Sequence, residues 1–349
     1  MAAPVALPIL QLAPVEPLSA FPLYQPLPRP YRGPIADAHM HARDAAAMEN
    51  YWTVARLYGI HYACPIVELP VALELQQRYG DHVRPIVWGI RPRQENFQDL
   101  GAFRRKKEAL LEAIAQHGWR WVKLWFTPRF LYWHRVWLDD PHLDFFFERM
   151  ARLHLNLLVH VADPDVWFVR EHGDRAREVK RQHYLQLERR LQAYPHMVFQ
   201  LAHFAGYPED LDFLDRLLER YPQVVLDSSA TKWVAREFSR HGERARRFMV
   251  RWQERIVFGT DLVAHPEREK EGPRDHYATR FYVHQRLWEQ AGVFDSPIED
   301  ADSLEPPRFY GLALPEDVLR RFYWDNAARL YALPVPHVGS TLGGTVGGQ

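Results

Sequence analysis

Cysteine is nearly absent from this chain: Cys64 is the only one in 349 residues. That excludes an intrachain disulfide and thiolate-cluster zinc sites, and Cys64 reads as a small apolar residue inside a strand. Net charge is absent too, with 44 Lys+Arg against 44 Asp+Glu, so no long-range field recruits nucleic acid or an anionic membrane surface. No apolar run approaches the ~20 residues of a membrane span. The first basic residue is Arg29, too late for the charged start of a signal peptide, and cytoplasmic residence is the expectation. A Gly-rich phosphate turn is missing after the first apolar run, which argues against an open dinucleotide-binding sheet.

Proline, by contrast, is concentrated at one end. Positions 4, 8, 14, 17, 22, 26, 28, 30 and 34 are all proline, a spacing that rejects helix. Because the same stretch is rich in Leu, Val, Phe and Tyr, residues 1–34 are expected to form an extended arm lying on the body. The other end, Gly339–Gln349, is Gly/Thr-rich and is expected to be disordered, so 334–349 is read as a flexible tail. The body is then 35–333.

Within that body, short apolar, β-branched runs alternate with longer amphipathic stretches. Strand candidates are 35–41, 61–68, 84–90, 119–126, 155–162, 197–204, 223–229 and 255–262. Helical periodicity between them is clearest in Leu211-Asp212-Phe213-Leu214-Asp215-Arg216-Leu217-Leu218. Such alternation implies parallel strands with crossover helices. Eight units in about 250–300 residues is the size of a closed (β/α)8 TIM barrel, the α/β fold expected here.

The first strand candidate ends in Asp37-Ala38-His39-Met40-His41. Side chains alternate faces along a strand, so His39 and His41 point the same way, about 6.6 Å apart along it. Neutral imidazoles so placed can chelate one transition-metal ion, and Asp37, on the same face, can orient a ligand from behind. Four further strand candidates each carry one ionisable residue near the C-terminal end of an apolar run: Lys123, His160, His203 and Asp261. Any one of them fits a satisfied core residue. Convergence on the C-terminal rim, where barrel active sites sit, is harder to reach by packing alone.

This arrangement resembles the amidohydrolase superfamily, in its amidohydrolase-related branch. The resemblance rests on Asp37-x-His39-x-His41, then Lys123, His160, His203 and Gly259-Thr260-Asp261 in strand order, and it spans nearly everything from Ile35 onward. Tyr310-Gly311-Leu312-Ala313-Leu314-Pro315 with Asn326-Ala327-Ala328-Arg329-Leu330 resembles the branch's terminal helix. What the resemblance implies is one divalent metal ion, zinc with manganese as the alternative, held by His39, His41, His160 and Asp261. It further implies that Asp261 moves the proton and that His203 polarises the electrophile. Lys123 is then either an ammonium facing an anionic or carbonyl group of the substrate, the expectation here, or a carboxylated bridge between two metals.

The loop after the fourth strand, with Arg129 and several aromatics, suits a planar or carboxylate-bearing ligand; the same aromatics equally suit a subunit interface, so a homo-oligomer stays open. Trp167, in the insertion after the fifth strand, is expected to face the pocket, and the segment from His265 to His276 to cover the site. The leading expectation is a metal-dependent hydrolase acting on an amide, lactone or related bond of a small organic acid. The alternatives are a non-oxidative decarboxylase of the same branch and a catalytically silent barrel used for binding.

Overall fold

In the computed structural model, residues 24–264, 273–303 and 308–334 are described. Parallel strands follow one another around a ring: β1 (Ile35–Ala42), β2 (Ile60–Val67), β3 (Ile86–Ile90), β4 (Trp121–Trp125), β5 (Asn156–His160), β6 (Phe199–Leu201), β7 (Val224–Asp227), β8 (Ile256–Val257) and β9 (Val263–Ala264). Every neighbouring pair from β1 to β8 is parallel and in sequence order, and β9 pairs back onto β1. This is the (β/α)8 barrel, with its expected strands trimmed by a few residues.

The eighth strand is split in two, and the split is where the barrel closes. Residues 258–262 leave regular β geometry yet stay bonded to β1: Ala38 N donates to Phe258 O (2.8 Å), Asp261 N to His39 O (2.7 Å), and His41 N to Leu262 O (2.7 Å). Asp261 sits in the left-handed region at φ 58°, which breaks the ladder and turns its side chain toward the mouth. Gly259 permits the close approach, since a Cβ there would lie 2.8 Å from His39 Cβ. Gly259→Ala is therefore expected to lower stability by roughly 1–3 kcal/mol, read as a lower urea midpoint at unchanged slope.

Helices cover the outside as the periodicity requires. In Leu211–Arg220 the buried residues are Leu211, Leu214, Leu217 and Leu218, and Asp210 caps the first turn through Phe213 N (2.8 Å). A small antiparallel hairpin, β10 (Ala291–Asp295) with β11 (Arg308–Leu312), lies outside the ring. It corrects one expectation: Tyr310-Gly311-Leu312 is strand, and helix begins only at Glu316. The Asn326–Tyr331 helix does follow, and Asn326 Nδ2 donates to Gln253 O (2.7 Å) and Ile256 O (2.8 Å), anchoring it beneath β8.

The described part of the arm, 24–34, lies against the Pro273–Glu289 helix. Leu27 exchanges two hydrogen bonds with the Gln285 amide, and Arg29 pairs with Glu289. Residues 1–23, the tail from 335 onward, and most of the covering segment expected at His265–His276 lie outside the described residues. Among the described residues no helix is long and apolar enough to cross a membrane.

Candidate active site

The C-terminal strand ends surround a cavity of about 460 Å³. His39 and His41 reach it from β1, Trp88 from β3, Lys123 and Trp125 from β4, His160 from β5, His203 from just after β6, and Asp261 from the β8–β9 turn. Arg43 and Arg91 also line its wall.

Asp261 is the meeting point of the histidines. Its Oδ1 lies 3.0 Å from His41 Nε2 and 3.4 Å from His39 Nε2, and its Oδ2 lies 3.9 Å from His203 Nε2. Burial pushes the Asp261 carboxyl up, but the flanking His203, His39 and His41 outweigh it and hold the group well below the usual carboxylate range. Burial and the Lys123 charge pull the His39 imidazole down, while Asp227 and Asp261 win and raise it. His41 is lowered by its burial in spite of Asp261, and His203 falls well below the ordinary histidine value, again through burial.

Two buried polar atoms here have no hydrogen-bond partner, His39 Nε2 and Lys123 Nζ. An orphaned imidazole nitrogen facing a carboxylate oxygen fits a cation between them. His39, His41 and Asp261 offer ligand atoms that all lie within 4.8 Å of one another, the nitrogen and oxygen donor set that suits zinc and manganese alike. Lys123 is only 1% exposed, and burial pulls its ammonium down to about 8, against the pull of Asp227 and Asp261.

The family model described as Amidohydrolase matches residues 36–333. The chain belongs to the amidohydrolase family. Among solved structures it is similar to 4-oxalomesaconate hydratase from Rhodopseudomonas palustris, at 12% identity and TM-score 0.51 over 85% of this chain and 95% of that one. Similar too are dihydroorotase from Saccharomyces cerevisiae, at 14% and 0.51 over 87% and 85%, and an amidohydrolase II, at 14% and 0.51 over 85% and 99%. At such identities the likeness is one of fold. No curated protein matches the sequence.

The barrel thus brings His39, His41, Lys123, His160, His203 and Asp261 to one cavity. His160 stands apart from the tight ligand group. Its Nε2 faces Ala162 O at 3.0 Å and Asp163 Oδ1 at 3.1 Å, both acceptors, so that nitrogen carries the proton and Nδ1 is the one left to donate. Arg129 is exposed on the short Pro128–His134 helix, and Trp167 donates to Asp302 Oδ2 at 2.7 Å; neither lines the cavity. Basic and aromatic wall positions are held instead by Arg43, Arg91, Trp88 and Trp125. Trp88 stacks on His41 with ring centroids 5.7 Å apart, and Trp125 meets His160 edge-on at 6.1 Å.

Asp37 also differs from expectation. It touches no imidazole: it accepts from Tyr51 Oη (2.8 Å), Thr260 Oγ1 (2.6 Å), Thr260 N (3.1 Å) and His39 N (3.2 Å). It therefore holds the backbones of β1 and the Asp261 turn together, and burial raises its carboxyl to about 6. The carboxylate behind the His39 ring is Asp227, at the end of β7, with its Oδ2 2.9 Å from His39 Nδ1. Asp227 was missed in the sequence although it follows the same rim pattern as the other strands, one acid closing the apolar run Val224-Val225-Leu226.

Proposed function

We propose that this amidohydrolase is a metal-dependent hydrolase that uses an activated water on an amide, lactone or related bond of a small organic acid. The observation carrying the reading is the orphaned His39 Nε2 beside His41 Nε2 and Asp261 Oδ1 at the bottom of an open cavity. His39, His41 and Asp261 would hold one divalent ion, zinc or manganese, with His160 Nδ1 as a fourth donor. Such an ion supplies Lewis acidity, which makes water acidic enough to attack near neutral pH.

The chain's own groups account for the rest. Asp261 accepts a proton on the carboxylate oxygen that faces the cavity and returns it to the leaving group. His203, neutral through burial, accepts a hydrogen bond from the attacking water at Nε2. Lys123 meets a substrate carboxylate, since a buried ammonium without a partner is costly until an anion arrives. Trp88 and Trp125 bound the space for a planar or compact body.

One observation favours a second reading, non-oxidative decarboxylation. Lys123, Arg43 and Arg91 line the same cavity as the ligand group, so a carboxylate can be clamped beside the ion. Metal analysis of protein purified without chelator is the first test. About one equivalent of zinc or manganese supports the single-ion site with Lys123 an ammonium; two equivalents would make Lys123 a carboxylated bridge; none would put the silent binding barrel in front. Incorporation of solvent oxygen into product, against release of carbon dioxide, then separates hydrolase from decarboxylase.

A further inference from the structure

We infer that Asp227 is the positioning residue of this site, setting the proton of His39 directly and that of His203 through the hydroxyl of Ser229. The inference rests on the metal-site reading above for its consequence and on hydrogen-bond geometry alone for its origin.

Asp227 is buried and surrounded by donors. Its Oδ1 accepts from His203 N (2.9 Å), Ser229 N (3.1 Å) and Ser229 Oγ; its Oδ2 accepts from Gln200 Nε2 (2.8 Å) and faces His39 Nδ1 (2.9 Å). An ionised carboxylate can only accept, so each neighbour must present hydrogen. His39 therefore carries its proton on Nδ1, which frees Nε2 to donate its lone pair toward the cavity. The Ser229 hydroxyl spends its single hydrogen on Asp227, so toward the imidazoles its oxygen can only accept.

Ser229 Oγ lies 2.7 Å from His203 Nδ1 and 2.9 Å from His39 Nδ1. His203 Nδ1 must then carry hydrogen as well, which leaves His203 Nε2 with a lone pair facing Asp261. The His39 proton keeps Asp227 Oδ2 as acceptor when the hydroxyl is removed, whereas the His203 proton does not. The order is fixed from farther back. Tyr331 Oη donates to Gln200 Oε1 at 2.6 Å, which turns the amide so that its nitrogen points at Asp227. The backbone contributes by an uncommon route. His203, Phe204 and Ala205 all lie in the left-handed region, at φ 59°, 49° and 59°, and this turn points the His203 N–H back at Asp227. Of these three non-glycine residues, His203 is tied to Asp227 by its N–H, and Ala205 O accepts from Tyr184 Oη at 3.1 Å.

Two substitutions separate the two arms. In Asp227→Asn the amide oxygen faces the three donors on the Oδ1 side, which places NH2 against His39 Nδ1–H. Donor meets donor, only Ser229 Oγ at 2.9 Å is left to accept from Nδ1–H, and the balance shifts toward the tautomer with the proton on Nε2, which withdraws the Nε2 lone pair. Zinc affinity, measured with zinc alone in competition with a chelator, is expected to fall about 10- to 100-fold. The Nδ1–H signal of His203, read by nitrogen-edited NMR of metal-free protein, is expected to persist.

In Ser229→Ala the reverse is expected. The His203 Nδ1–H signal shifts or disappears, zinc affinity stays within about threefold, and kcat falls roughly tenfold with KM little changed. Unchanged zinc affinity in Asp227→Asn, or an unchanged His203 signal in Ser229→Ala, overturns the inference. If Asp227→Asn does not fold, the Ser229→Ala spectrum decides alone. Wild-type protein that binds neither zinc nor manganese would sink the proposed function while leaving the His203 tautomer as a valid test of the Asp227–Ser229 arrangement.

Discussion

Asp261→Asn is expected to lower kcat by about 10³-fold or more, some 4 kcal/mol of barrier, in a protein that remains folded. The side chain does little for the barrel: it faces the cavity, and closure of β1 onto the eighth strand runs through the Asp261 backbone N–H to His39 O, which the amide leaves intact. Two functions are removed together. The carboxylate oxygen within 3.4 Å of both His39 Nε2 and His41 Nε2 loses its charge, so bound metal falls. The oxygen facing the cavity can no longer take a proton at a carboxylate's affinity. His39→Ala is expected to match the metal loss, whereas His203→Ala keeps the metal and loses turnover. Metal content per chain, thermal melting and kcat on the same preparations check all three. Full activity and metal in Asp261→Asn or His39→Ala would show that the ligand group is misassigned; loss of metal in His203→Ala would make that histidine a ligand.

Much of this site was legible because a barrel reduces a three-dimensional question to a one-dimensional one. Parallel strands in sequence order bring their C-terminal ends to one rim, so an ionisable residue closing an apolar run already has an address. Lys123, His160, His203 and Asp261 are placed that way, and all four line the cavity. Asp227 obeyed the rule, but β7 is short and Asp227-Ser228-Ser229 has the composition of a turn or helix cap, which masks an acid that points inward. The ring orientation of His160 was not legible, since it depends on the Ala162 carbonyl and Asp163 of the loop that follows.

The loops show why the rest was not. Arg129 and Trp167 have the composition of a ligand wall, yet where they point depends on contacts far along the chain. Trp167 is held by Asp302, 135 residues away. Arg43 and Arg91 lie just beyond β1 and β3, where a basic residue reads as the solvated start of a loop until ring closure turns it toward the cavity. The left-handed turn at His203–Ala205 was equally hidden, because its glycine, Gly206 at φ 72°, comes only at its end. Local pattern fixed strand order and rim chemistry; long-range closure fixed tautomers, walls and turns.

Lys123→Met is expected to move stability and activity in opposite directions. A lysine ordinarily near 10.5 that sits near 8 in the folded protein is held against its own charge by burial. The unfolded chain binds that proton more tightly, so folding pays about 3 kcal/mol at neutral pH, and stability rises as pH climbs from about 8 to 10.5. Methionine fills similar space without the charge. A net gain of about 1–3 kcal/mol is expected at pH 7, the attraction of Asp227 and Asp261 being already contained in the value near 8. The gain should shrink toward zero near pH 10.5, where the wild-type lysine is largely neutral in both states. Against this, kcat/KM on an anionic substrate should fall about 100-fold, mostly through KM, with one metal per chain retained. Urea midpoints at pH 7 and pH 10 and steady-state kinetics give the comparison. A variant less stable at pH 7 would mean that Lys123 serves the fold by pairing with Asp227 and Asp261. A more stable, less active one would mean that the barrel carries an unsatisfied ammonium because the substrate's anion satisfies it.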